Sequence, residues 1–247
     1  MALAPGLKEG KPVPVIATIE VNFRFPQMWF DAKAEQRRTS FNVALQSLKT
    51  GGARKDRAVQ SVQDLARDKF PPAMYLVGTW ELAGDNIPKD PADGWELIQK
   101  AAGQNYGPAL YTVGKKKLDA GGSHEETENA WSMLRDAATL GSVDAQFFLG
   151  GAYEKGVGVP MDASRARRYF RLCATTGIAP CQIRLARLLL EIADNSGDDH
   201  VQAVAWLQLA ADQNDDEARQ IADREQAKLN PTQLTLVKTW KGQLLRK

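Results

Sequence analysis

The chain has 247 residues, of which 25% are charged and 43% apolar, the balance of a folded globular protein. A net charge of +2 implies neither a nucleic-acid nor an anionic-membrane partner. No apolar run approaches the roughly 20 residues that a spanning helix needs, so no integral membrane segment is expected.

The first 14 residues, rich in Pro and Gly among charges, read as an extended arm, and the arm is expected to run to about residue 30. They show neither a basic region nor a long apolar stretch of the kind a leader needs. The Met1-Ala2 start, followed by this Pro/Gly-rich stretch, is expected to mark a chain that begins after a cleaved leader. Residues 15–25, VIATIEVNFRF, alternate apolar and polar side chains in the period of a half-buried strand. No second such stretch follows. The segment is expected to seal the first helices with its apolar edge; the alternative is a free strand that pairs with another chain.

Residues 31–70 predict a helical pair. Phe41, Ala44, Leu45 and Leu48 have helical spacing, and Gly51-Gly52 stops that helix. A second helix from about Ala53 to Lys69 carries Ala58, Val62, Leu65, Ala66 and Lys69 on one stripe. Pro71-Pro72 then opens a new helix.

From there the sequence repeats every 36 residues. Ala73, Ala109, Ala145 and Cys181 fall in step, as do Gly78, Gly114, Gly150 and Ala186. Such a period is the signature of a stacked array of supersecondary units. Each unit opens with an A helix that carries a small residue and then two bulky apolar residues, for example Ala145, Phe147 and Leu149. Glycine inside a helix costs roughly 1 kcal/mol against alanine. Its recurrence at 78, 114 and 150 predicts close approach by a neighbouring helix. Each B helix carries a bulky residue ahead of a small pair: Trp95 before Ala101-Ala102, Trp131 before Ala137-Ala138, Tyr169 before Cys173-Ala174, Trp206 before Ala210-Ala211. Three residues later stand Asn105, Gly141, Gly177 and Asn214, the residue types that accept a left-handed helix closure. Ser123 with Glu126 predicts a capping box, and Asp162 and Asp199 predict N-caps. The repeats are placed at 71–222, with four helix pairs from about 71 to 212, and a capping helix within 223–247 follows, striped by Leu234, Val237, Trp240 and Leu244.

The unit from Ala145 to Gly177, AQFFLGGAYEKGVGVPMDASRARRYFRLCATTG, resembles the Sel-1-like repeat, a relative of the tetratricopeptide repeat. The resemblance covers about residues 70–222 and departs at Lys115-Lys116-Lys117 in unit two; residues 1–69 do not match it. It implies an all-α fold, a right-handed solenoid of antiparallel helix pairs preceded by the extended N-terminal segment. In the repeat frame Cys173 and Cys181 replace Ala137 and Ala145, positions where small residues imply contact, and a bridge needs Cα atoms about 4.4–6.8 Å apart. Secreted members of the family look similar, with bridges at this spacing. The resemblance thus implies a disulfide and a periplasmic location. Two buried free thiols, with a cytoplasmic location, are the alternative.

No nucleophile elbow, metal-spaced His/Cys set or phosphate-cradling loop is visible, so no enzyme activity, cofactor or metal is expected. His124 and His200 are each expected to be solvated near a helix start, and Gly156 and Gly158 belong to the repeat turn. The array class points to a protein-binding surface, lined in the family by A helices. Family members with an extra N-terminal region that are exported to a bacterial periplasm look like immunity proteins of type VI secretion phospholipase effectors. The resemblance therefore implies a cognate secreted toxin as partner, bound so that its active site is occluded. A scaffold or adaptor for assembly or signalling is the alternative, and a hydrolase acting on a cell-wall compound is the third reading. Positions that vary chemically while the frame holds supply the candidate contacts: Trp80, Glu81, Lys116, Lys117, Glu154 and Arg184. For Trp80 the competing expectation is packing on the preceding helix.

Overall fold

The computed structural model describes residues 7–8, 11–12, 32–50, 54–192 and 197–244. The alternating segment at 15–25, the Gly51-Gly52 stop and part of the loop at 193–199 lie outside the described residues. Two units, residues 1–39 and 40–247, are distinguished. The first contains a short antiparallel pairing of β1 (Leu7–Lys8) with β2 (Lys11–Pro12) and the opening of α1 (Ala32–Thr50), where Arg38 pairs with Glu35 at 3.5 Å.

The second unit is all-α, a solenoid of antiparallel helix pairs. After α2 (Lys55–Arg67) come four A/B pairs: α3 (Pro71–Ala83) with α4 (Pro91–Gly103), α5 (Gly107–Ala120) with α6 (His124–Thr139), α7 (Val143–Lys155) with α8 (Ala163–Ala174), and α9 (Ala179–Ile192) with α10 (Asp198–Ala211). A fifth A-type helix, α11 (Asp216–Gln226), and the terminal α12 (Pro231–Leu244) both pack on α10. From α2 to α11 each helix contacts its sequence neighbours, as a one-dimensional stack requires.

The frame residues do what their chemistry predicts. Asn105, Gly141, Gly177 and Asn214 all have positive φ, from 58° to 88°. Ala73, Ala109, Ala145 and Cys181 are buried, and so are Ala101, Ala137, Cys173 and Ala210 opposite them. Helix axes approach closely only where side chains end at Cβ. Leu134, Leu149, Phe170, Leu185 and Leu207 fill the remaining space with no exposure, each contributing about 1.5–3 kcal/mol. Ser123 and Glu126 form the capping box of α6, and Asp162 caps α8 by accepting from the Arg165 amide at 2.9 Å.

Three local expectations change. Asp199 does not cap α10: the helix opens at Asp198 after Gly197, and the Asp199 carboxylate pairs instead with Arg167 of α8 at 3.5 Å. Lys69 lies beyond the end of α2, not on its stripe, and takes a left-handed φ of 58°. It stands 36 residues before Asn105, and Val62, Leu65 and Ala66 stand 36 before Ile98, Ala101 and Ala102, all buried. So α2 keeps the register of a B helix, which the sequence alone did not assign to it. His200 is not solvated. It is fully buried, with Nε2 3.3 Å from Glu225 Oε2. That spacing meets an ion-pair distance without hydrogen-bond alignment, so both ring nitrogens lack a hydrogen-bond partner.

Candidate partner-binding face

The A helices lie side by side, with α5 packed directly against α7. Between α5, α7 and α9 runs a groove of about 540 Å³, floored by Tyr111, Phe147, Phe148, Gly151 and Phe170 and rimmed by Lys155 and Arg184. Its aromatic rings brace one another. Phe147 meets Phe170 edge-on at 5.8 Å, Phe148 stacks on Trp131 at 5.8 Å, and Tyr111 meets Phe148 at 6.2 Å. Phe147 remains 39% exposed, an apolar surface open to a partner.

Gly150 and Gly151 are adjacent in α7 but differ in function. A Cβ on Gly150 would stand 2.7 Å from the Phe170 ring, so that glycine is required by packing. A Cβ on Gly151 would meet nothing within 4 Å. Neither packing nor backbone conformation asks for glycine there, and the space above it belongs to the groove. The equivalent positions are Thr79, Lys115 and Arg187. A glycine where other units hold larger side chains was the sequence signal for this groove, and frame reasoning passed over it.

Glu154 and Arg184, expected as contacts, are brought together as an ion pair between α7 and α9 at the groove edge, with the Arg184 guanidinium 5.5 Å from the Phe170 ring centroid. Arg187 and Glu217 repeat the pairing between α9 and α11. Lys116 and Lys117 are exposed near the end of α5, where Lys116 Nζ sits 3.6 Å above the Trp95 ring. Glu81 is half-buried at the end of α3 and its Oε2 has no hydrogen-bond partner; burial, then Asp93 and Asp90, push its carboxyl above the ordinary range. Trp80 is corrected: at 7% exposure it belongs to the core and offers a partner almost no surface. The six residues therefore do not converge on one site.

Cys173 and Cys181 are joined by a disulfide between the end of α8 and the start of α9, their Cα atoms 5.6 Å apart and both side chains buried. Among the described residues no group of three or more His, Cys, Asp or Glu side chains is placed to hold a metal, and no helix is long and apolar enough to cross a membrane.

The Sel1 repeat family matches residues 71–106, 143–175 and 179–215, leaving unit two unmatched, where the three lysines depart from the pattern. No curated protein matches the chain by sequence. Among solved structures, a protective antigen, c5321, from uropathogenic Escherichia coli, with an SLR fold, is 24% identical with a TM-score of 0.63; the match covers 87% of this chain and 47% of that one, so the chain spans about half its length. A Sel1 repeat protein from Oxalobacter formigenes is 22% identical with a TM-score of 0.60, over 85% of this chain and 87% of that one. The immunity protein PA5088 from Pseudomonas aeruginosa is 20% identical with a TM-score of 0.56, over 86% and 82%. At these identities the likeness is one of fold. Three units of this chain, set in one continuous helical array, are matched as Sel1 repeats.

Proposed function

We propose that this protein is an immunity protein: it binds a secreted toxin of the phospholipase type, delivered by type VI secretion, and occludes the toxin's active site in the periplasm. The observation that carries this reading is the aromatic groove of the A-helix face, kept open at Gly151. A braced groove of a few hundred Å³ with an apolar floor and a charged rim has the form of a site for an inserted loop. The Cys173–Cys181 bridge suits an oxidising compartment. Two proteins of the same fold, Pa5087 and PA5088, are immunity proteins. The groove side chains, rather than Trp80, then make the primary contacts, with the Glu154–Arg184 pair at their margin and Lys116 and Lys117 apart from them.

The test is co-expression with a type VI phospholipase effector, sought first among the neighbouring genes, with the effector sent to the periplasm. Protection by the wild-type chain and its loss in Gly151→Arg is the expected result. The arginine enters open space, so the free protein should keep its melting temperature. Protection retained by Gly151→Arg would move the site off the groove. No protection by the wild-type chain would replace the immunity reading with that of a scaffold.

A further inference from the structure

The net charge of +2 averages over a local imbalance on the opposite, B-helix side of units two and three. α8 carries Arg165, Arg167, Arg168 and Arg171, and the last turns of α6 carry Arg135. Some of these have partners. Arg165 pairs with Asp162 at 3.3 Å, Arg167 with Asp199 at 3.5 Å, and Arg171 Nη2 donates to Gln202 Oε1 at 3.3 Å. Arg135, half-buried, and Arg168, exposed, join no carboxylate among the described residues, and Asp136 follows Arg135 in the chain. Three guanidiniums gather at one phenol: burial, then Tyr153, raises the Tyr169 pKa, while Arg168, Arg135 and Arg165 pull it down.

Apolar side chains stand exposed along the same end of these helices. Leu140 follows α6 at 50% exposure, Leu172 sits in the last turns of α8 at 42%, and Ile178 follows α8 at 43%. Arg135 and Arg171 stand 36 residues apart, at one position of the repeat frame, so the C-terminal ends of α6 and α8 lie at the same end of the stack. Unpaired arginines flanked by exposed leucine and isoleucine are the composition of a surface that rests on an anionic bilayer: the guanidinium fork matches phosphate oxygens, and the aliphatic tips enter the headgroup layer.

We propose that this edge, Arg135, Arg168 and Arg171 with Leu140, Leu172 and Ile178, docks the protein on the anionic phospholipid surface of a membrane. An acidic protein would satisfy the arginines but gives no account of three exposed aliphatic residues beside them. Docking by the B side leaves the A-helix groove free.

The experiment is sedimentation of the full, disulfide-bonded chain with phosphatidylcholine vesicles, with and without phosphatidylglycerol. Binding should require phosphatidylglycerol and weaken as salt is raised. Each basic residue near such a surface is worth about five-fold in partitioning, so Arg135→Gln/Arg168→Gln should bind on the order of twenty-five-fold more weakly. Its melting temperature should be unchanged, because neither arginine holds an internal ion pair. Leu172→Ser should reduce binding in the same assay without altering salt dependence. Equal binding to both vesicle types, or undiminished binding by the double arginine variant, overturns the proposal. Binding to polyglutamate but not to phosphatidylglycerol vesicles also overturns it, in favour of a protein partner. No toxin is present in the assay, so its outcome is separate from that of the immunity reading.

Discussion

One frame position, held by glycine in units one to three, supports a graded test of how these helices touch. In unit one α3 crosses α4 glycine to glycine: a Cβ on Gly78 would stand 2.6 Å from the Gly94 carbonyl oxygen and 2.9 Å from Ile98 Cγ1. The reciprocal Cβ on Gly94 would stand 2.7 Å from the Gly78 oxygen. Backbone cannot rotate aside, so Gly78→Ala must part the two helices. In unit three the obstacle to a Cβ on Gly150 is the Phe170 ring at 2.7–2.9 Å, a side chain but one with no exposure and no free space. In unit two a Cβ on Gly114 meets Met133 Cβ at 3.2 Å and the Ala130 oxygen at 3.3 Å, which a shift of a few tenths of an ångström relieves. Overpacking costs about 1–3 kcal/mol, and replacing a helical glycine by alanine returns about 1 kcal/mol. Gly78→Ala, at the upper end of that cost, should therefore lose up to about 2 kcal/mol net, or up to about 4–8 °C in melting temperature for a chain of this size. Gly150→Ala should lose less, Gly114→Ala should be near neutral, and Gly151→Ala should gain about 0.5–1 kcal/mol. Thermal and urea unfolding of the four variants read the order directly. Gly114→Ala falling below Gly78→Ala would refute the reasoning that backbone contact sets the cost.

Other outcomes follow from single contacts. Cys173→Ala/Cys181→Ala reproduces Ala137 of unit two and Ala145 of unit three and so leaves no misfit; it should lose the about 2–3 kcal/mol that closing a short loop supplies, seen as a lower urea midpoint. The same midpoint in the oxidised wild type and the variant would refute that. Trp80→Ala should cost about 3–5 kcal/mol in unfolding assays, as a core tryptophan does, whereas a partner-facing side chain would cost almost nothing. For Glu225 burial alone would raise the carboxyl pKa, but hydrogen bonds from Lys228 and Arg224 outweigh it and the folded value lies below the ordinary 4.5. Its contribution is thus complete above about pH 4.5 and is lost as pH falls through that depressed value. Glu225→Gln should flatten the acid limb of melting temperature against pH, and an unchanged limb would show that Glu225 does not set it.

The array was legible because its constraints are steric and leave a mark on residue type. A left-handed closure selects Asn105, Gly141, Gly177 and Asn214, and a helix contact selects Ala, Gly or Cys. Lys69 escaped because lysine is not a residue type that signals left-handed φ, yet the fold imposes 58° there. Trp80 misled for a different reason. Two of its counterparts, Ala152 and Leu188, are buried as well and Lys116 alone is exposed, so variation there mostly records different ways of filling one core position. His200 was unreadable because its surroundings come from α11, whose Glu225 lies far along the chain. Phe147 stands two residues before the buried Leu149, on another face of α7. It is half-open because the neighbouring Gly151 supplies no side chain to cover the groove.

Arginine is placed differently on the two sides of the stack, and that difference bears on both proposals. On the A side Arg184 is committed to Glu154 and Arg187 to Glu217, each joining consecutive A helices. The Glu154–Arg184 pair, with the Cys173–Cys181 bridge on the α8–α9 connection, holds the junction of units three and four at two separate places. The groove lies against that junction, so its aromatic floor is set before any partner arrives. A preformed site loses less conformational entropy on binding and gains affinity without added contacts. On the B side Arg135 and Arg168 join no carboxylate among the described residues, and Leu140, Leu172 and Ile178 are exposed. Removing the bridge should therefore weaken partner binding at the groove more than vesicle binding at the B-side edge. Arg135 belongs to unit two, and Arg168 and Arg171 precede Cys173 on the same helix, so the basic edge keeps its spacing whether or not α9 is tied to α8.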